Sequence, residues 1–191
     1  RAEMAKKFLR DVPVKGKLVF VRNDFNVPLD ASGRITDDTR IQASLPTFRY
    51  LIANGARVVC ASHLGRPKGE VIPECSLAPV ARHLSGLLGQ EVIFCPETIG
   101  AKAEKARAAL KAGQILLLEN LRFHPGETKN DPAFASELAK GADVYVDDAF
   151  GACHRAHASI DEITRHVPLA AAGFLLKKEV DALGGLLDVV L

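Results

Sequence analysis

KLVFVRNDFNVP, residues 17–28, opens as an apolar run and ends on charged and amide side chains, and this junction occurs four times along the chain. VRNDFNVP (21–28) follows KLVFVR (17–22), SHLGRP (62–67) follows ARVVCAS (56–62), ENLRFH (119–124) follows QILLLEN (114–120), and DDAFGACHRAH (147–157) follows ADVYVDD (142–148). A fifth apolar run, EVIFC (91–95), lacks such a sequel. The runs are short and aliphatic without polar alternation, the pattern of strands buried on both faces.

Helical stretches separate them. The first has Asp37 and Asp38 in its opening turn, carries Ile41, Leu45, Phe48 and Leu51 on one face, and ends at Asn54 and Gly55. Others are expected around 77–88, ending at Gly89, and over 101–111, stopping before Gly113. A fourth starts after Asp131 with Pro132 in its first turn and stops at Gly141. Strict alternation requires right-handed crossovers and a covered parallel sheet. The expected fold is therefore α/β: a three-layer α/β/α sandwich around a mainly parallel, doubly wound, Rossmann-like sheet. The carboxyl ends of its strands would gather Asp24, Asn26, His63, Arg66, Arg122 and Arg155 at one edge, where such sheets bind ligands. Arginines converging from several strand ends suit a small, multiply charged anion.

The chain has 191 residues, enough for one well-buried domain with an appendage. Its 25 Lys and Arg against 23 Asp and Glu give a net charge of +2, without the broad basic field of a nucleic-acid binder. The four cysteines, Cys60, Cys75, Cys95 and Cys153, form no CxxC pair, which points to a reduced, cytoplasmic setting. No apolar run approaches the roughly 20 residues of a membrane span. Met4, the only methionine, reads as the native start, with Arg1 to Glu3 as an added remnant. Neither GxGxxG nor GxxxxGK[ST] occurs, so no nucleotide pocket is expected in this chain. FLLKKEVDALGG, from 174, begins as an amphipathic helix, with Gly184 and Gly185 as a stop or hinge. The apolar residues Leu186, Leu187, Val189, Val190 and Leu191 suit contact with a further domain.

Each candidate also has a plain structural role open to it. Arg40 can pair with Asp37 on its own helix. Asp24 and Asn26 can form a turn before Pro28, His63 can be an internally bonded loop residue, and Arg122 can make a salt bridge within its loop. Asp147 and Asp148 can hold Mg²⁺ through water, cap the following loop, or orient an arginine. His154 and His157 lack a clear third ligand, so no metal site is expected.

VRNDFNVP, DDTRI, ASHLGRPKG, LLLENLRFHPGE, DVYVDDAFGACHRAHAS and GFLLKKE stand in the order and spacing of phosphoglycerate kinases, and the chain resembles the N-terminal half of that family from about Lys6 to Glu179. The resemblance implies reversible phosphoryl transfer between 1,3-bisphosphoglycerate with ADP and 3-phosphoglycerate with ATP, in glycolysis and gluconeogenesis. It implies that residues 4–172 are the acid-binding domain and that 173–191 begin an interdomain helix and hinge. A C-terminal domain, not in this chain, would hold Mg²⁺ with ATP or ADP. The complete enzyme would be a cytoplasmic monomer, with neither nucleic acid nor membrane as partner, and this half would be inactive alone. By motif, Asp24, Phe25 and Asn26 form one substrate stretch and His63, Leu64, Gly65 and Arg66 another. Arg40, Arg122 and Arg155 match the remaining substrate arginines, with Arg40 catalytic. Asp24 and Asn26 would address the hydroxyl and carboxyl end, and His63, Arg66, Arg122 and Arg155 the distal phosphate. Asn23 and Cys153 depart from the family pattern, and the Asn23 side chain is expected to point away from the ligand. The alternative is a stand-alone module that senses a phosphorylated metabolite with the same cradle.

Overall fold

A computed structural model describes residues 7–190, with side chains as far as Gly184. Arg1 to Met4 and the apolar side chains of Leu186, Leu187, Val189, Val190 and Leu191 lie outside what it describes. Six parallel strands form one sheet: β1 (Leu18–Asn23), β2 (Arg57–Ala61), β3 (Val92–Cys95), β4 (Ile115–Leu118), β5 (Val144–Asp148) and β6 (Leu169–Ala172), in the order β3-β4-β2-β1-β5-β6. The helices are α1 (Thr39–Ala43), α2 (Leu45–Ala53), α3 (Ala78–Leu88), α4 (Ala101–Ala108), α5 (Pro132–Ala139) and α6 (Phe174–Val190).

Alternation along the strands divides the core into two clusters. Val19, Val21, Val58, Cys60, Ile115, Leu117, Val144 and Val146 pack with Ile41, Phe48 and Leu51 of α1 and α2 and with Val80 and Leu84 of α3. Phe20, Val59, Leu116, Leu118 and Tyr145 pack with Ala103 of α4 and with Phe134 and Leu138 of α5. Both faces of the sheet are thus covered, which is the expected three-layer sandwich.

Three expectations differ from what is observed. A sixth strand, β6, extends the sheet beyond β5. Its sequence, Leu169-Ala-Ala-Ala172, has no β-branched residue, and pairing with β5 in the register Val144↔Leu169 makes it a strand. The first helix is two helices, because Pro46 has no N–H to donate to Gln42 and the chain breaks at Ser44. Helix α6 continues through Gly184 and Gly185, so these glycines do not stop it.

The start of α6 is tied to the sheet. Asp148, at the end of β5, accepts from the Leu175 and Leu176 amides at 3.0 and 3.3 Å, satisfying two of the donors that a helix start leaves open. Thr47 Oγ1 accepts from the Phe174 amide at 3.1 Å. This geometry requires glycine at 173, where a Cβ would stand 2.6 Å from Asp148 Cγ and 3.0 Å from its Cβ. Gly173→Ala is therefore expected to cost about 1–3 kcal/mol, as overpacked sites do. Urea unfolding of the variant checks this, and an unchanged midpoint would contradict the proposed clamp.

Candidate anion-binding site

The four motif loops leave the four contiguous strands β4, β2, β1 and β5, so they lie side by side along one sheet edge. The strands at the flanks, β3 and β6, contribute none of these motifs. Sheet order thus converts four distant sequence segments into one surface.

The loop after β2 is held to the loop after β4 by Asn120, which is fully buried. Its Nδ2 donates to the Leu64 and Cys75 carbonyls at 2.7 and 2.9 Å, and its Oδ1 accepts from the Leu64 and Arg122 amides at 3.2 and 3.0 Å. Four bonds from one amide use its whole capacity. The loop after β1 joins at Gly65, whose amide donates to Asn26 Oδ1 at 2.9 Å, while Arg122 Nη1 donates to the Gly65 carbonyl at 3.2 Å. Gly65 has a φ of +65°, a backbone state that disfavours side chains, and a Cβ there would sit 3.0 Å from Cys75 Sγ.

Around this frame lies a pocket of about 400 Å³ lined by Arg66, Lys68, Gly69, Arg122, Pro125, Thr128, Lys129, Arg155 and His157. Among the described residues, no carboxylate lines it. Arg122 pairs with no acid within salt-bridge distance among the described residues, and its Nε and the Nδ1 of His157 are buried without a protein partner. Burial first, then the charges of Arg155 and Arg22, push Arg122 below the ordinary guanidinium range. Lys68 has a φ of +57°, unusual away from glycine, and strain of this kind collects at ligand-binding loops. The arrangement is suited to a compact anion with several oxygens. A larger opening of about 440 Å³ by Arg10, Tyr50, Phe174 and Lys178 lies beside α6, away from the motif loops.

Asp24, Asn26 and Arg40 form a second group, the mouth, joined to the frame by the Gly65–Asn26 bond. Arg40 Nη1 donates to Asp24 Oδ1 at 3.3 Å and to the Asn26 carbonyl at 3.0 Å, so it does not take Asp37 as its partner. Asp37 is occupied by Thr39, whose amide and hydroxyl hold its carboxyl below the usual range. Asp24 does form the turn, accepting from the Asn26 amide at 3.1 Å. The Arg40 side chain is 54% exposed, which leaves it free to turn toward a ligand.

Phe25 and Leu64 have side chains in the core, Phe25 stacking on Phe48 at 6.3 Å between centroids. Both Leu64 backbone groups are bound by Asn120, and the Phe25 amide donates to Ser62 Oγ at 2.8 Å. These two residues shape the loops from behind. His63 is buried next to Arg22, Arg122, Arg155 and His157, and burial first, then the charges of the three arginines, holds its imidazole down to about 2.

Sequence reasoning passed over Arg22, Asn120 and Glu127, all fully buried, and Lys68 and Lys129 at the pocket rim. Alternation was the available signal for Arg22, since it follows Phe20 on one face of β1. Asp147 caps its own loop, its Oδ1 accepting from the Ala149 amide at 3.0 Å, and Asp148 caps α6. Asn23 is fully buried and its side-chain amide has no protein partner among the described residues. Among the described residues, no three His, Cys, Asp or Glu side chains stand together as a metal site. All four cysteines are free thiols, and among the described residues no helix is long and apolar enough to cross a membrane.

The fold is an open parallel α/β sheet with a basic pocket at its carboxyl edge, a geometry suited to an anion. The family model described as phosphoglycerate kinase matches residues 9–190. A phosphoglycerate kinase of Moorella thermoacetica is 60% identical over 181 residues, covering 95% of this chain and 46% of that protein. One from a Picosynechococcus strain is 54% identical, covering 97% of this chain and 47% of that protein. Among solved structures, the phosphoglycerate kinase of Coxiella burnetii matches with a TM-score of 0.84 at 41% identity, over 92% of this chain and 43% of that one. That of Pyrococcus horikoshii matches with a TM-score of 0.83 at 38% identity, over 93% of this chain and 44% of that one. The chain belongs to the phosphoglycerate kinase family and spans about half the length of these relatives.

Two outcomes are expected. Asn120→Asp puts two lone pairs where two donors face carbonyls and should cost about 2 kcal/mol or more, read by urea unfolding. Burial pushes both Asp147 and Asp148 up to about 6, so between about pH 4 and about 6 the folded chain holds more protons than the unfolded one. Stability from this pair therefore falls as pH rises through that window. Asp148→Asn, which keeps an acceptor for α6, should flatten the slope in thermal scans; an unaltered slope would refute the assignment.

Proposed function

We propose that this chain is the acid-binding half of a phosphoglycerate kinase, holding 3-phosphoglycerate or 1,3-bisphosphoglycerate while a nucleotide with Mg²⁺ is held by residues outside it. The observation that carries the reading is the carboxylate-free basic pocket built from the loops after β4, β2 and β5. It is joined through Gly65 to the Asp24, Asn26 and Arg40 group. A phosphate on one end of a three-carbon acid suits the pocket, and its hydroxyl and carboxylate suit the mouth. Family membership supports the same division. In this reading 173–191 begin the segment leading to the nucleotide-binding part, and the chain alone does not turn over. The described residues offer no cluster of carboxylates for a divalent cation.

Phosphoryl transfer to a carboxylate brings two anionic groups together through a transition state with charge spread over the phosphoryl oxygens. Positioning and charge stabilisation carry such a reaction. Arg66, Arg122 and Arg155 would anchor the distal phosphate and so fix where the carboxylate lies. Arg40, released from Asp24, would lie against that carboxylate and offset the repulsion as charge develops. Asn26 retains an Nδ2 donor with no protein partner among the described residues, suited to an acid oxygen. Excluding water from the mouth would strengthen each of these contacts.

In the full-length protein, Arg40→Ala is expected to lower kcat by about two to three orders of magnitude, as loss of a charge-stabilising donor does. A kcat close to that of the parent would remove Arg40 from the chemistry. Arg122→Ala is expected to raise KM for 3-phosphoglycerate by roughly tenfold or more, the scale of a lost charge-assisted bond. An unchanged KM would take Arg122 out of the phosphate pocket.

A further inference from the structure

Arg22 does not line the pocket, yet it touches His63, which is buried beside the pocket arginines Arg122 and Arg155. Its guanidinium is wholly buried. Nε donates to Ser159 Oγ at 2.8 Å, Nη1 donates to the Asn23 carbonyl, and Nη2 lies 3.0 Å from His63 Nδ1. Glu127, also wholly buried, supplies the opposite charge, with Oε2 4.0 Å from Nη2. Ser159 bridges the two: its hydroxyl donates to Glu127 Oε2 at 2.6 Å and its amide to Oε1 at 2.8 Å. The Tyr145 hydroxyl closes the network by donating to the Ser159 carbonyl at 2.7 Å.

A guanidinium has donors and no acceptor, so the nitrogen of His63 that faces it must be the unprotonated one. The ring proton then sits on Nε2, which has no protein partner among the described residues. We propose that Arg22 is a positioning residue that locks His63 as the neutral Nε2–H tautomer, so that the ring meets an anionic oxygen as a hydrogen-bond donor and not as a cation. The identity of that oxygen rests on the acid-binding reading above; the tautomer does not.

The surroundings make a neutral donor useful. Arg22, Arg122, Arg155 and His157 are the groups whose charge bears on the ring, and all are basic. A protonated His63 would oppose them in a buried site, whereas a neutral ring adds a directional bond without adding charge. Two consequences follow: the donor is present throughout physiological pH, and its direction is set from behind by a side chain that never meets the ligand. Lysine could not replace Arg22, because only a planar fork reaches Ser159, the Asn23 carbonyl and His63 together.

The experiment is a long-range ¹⁵N correlation spectrum of the histidine-labelled 191-residue chain from about pH 5 to about 8, the range in which an unperturbed histidine titrates. The His63 signal is identified by His63→Gln. The expected result is a protonated Nε2 and a bare Nδ1 that stay constant across the range. A protonated Nδ1, or a ring that titrates within the range, overturns the proposal. In the double variant Arg22→Met with Glu127→Gln, which removes both buried charges together, His63 is expected to gain a titration or to populate both tautomers. Arg22→Lys, which retains the charge without the fork, is the second test and is expected to mix the tautomers. A spectrum unchanged from the parent in a folded variant would assign the tautomer to something other than Arg22. Acid binding is read separately by calorimetry: a locked tautomer without acid binding would sink the functional reading and leave this one standing.

Discussion

The backbone ladder joining β4, β2, β1 and β5 is the constraint on which the cradle depends. Parallel pairing makes all four strands end at the same edge, and the register sets Arg22 opposite Ala61 on one side and Asp147 on the other. Each loop starts from a fixed strand end, so residues about a hundred positions apart meet without a long ordered loop. The entropy of bringing them together is met by the sheet, whose two apolar clusters supply the main stabilisation.

Charge is handled by separating two tasks. Behind the cradle, each nitrogen of the Arg22 guanidinium has a partner and the group faces Glu127, which offsets the desolvation of a buried charge. In front, Arg66, Lys68, Arg122, Lys129 and Arg155 stand together without a carboxylate. Such an array is unfavourable when empty and becomes favourable when an anion enters. Asn120 holds the loops in position from below, so the repulsion among the cations does not spread them apart.

Much of this is legible in the sequence. Short aliphatic runs ending on polar residues mark β1, β2, β4 and β5, and the glycines at 55, 89 and 141 bound their neighbours. Arg66, Arg122 and Arg155 were found because they follow strand ends, and they do line one pocket. What was hidden depends on contacts between distant segments. β6 is Leu-Ala-Ala-Ala and is a strand only because β5 offers it a partner. Arg22 closes an apolar run, and nothing local marks that Ser159 and Glu127 receive it. Asn120 looks like an ordinary turn residue until its four partners are assembled. Phe25 and Leu64 lie within motifs, but burial turns their side chains into the core.

The central claim is that these loops form an acid site in this chain before any other part of the protein is added. Calorimetric titration of the 191-residue chain with 3-phosphoglycerate, alongside a titration with Mg-ATP, tests it most directly. Saturable binding of the acid, weakened by salt and absent for the nucleotide, is the predicted result. A folded chain that ignores the acid, or that binds the nucleotide in its place, would contradict the account.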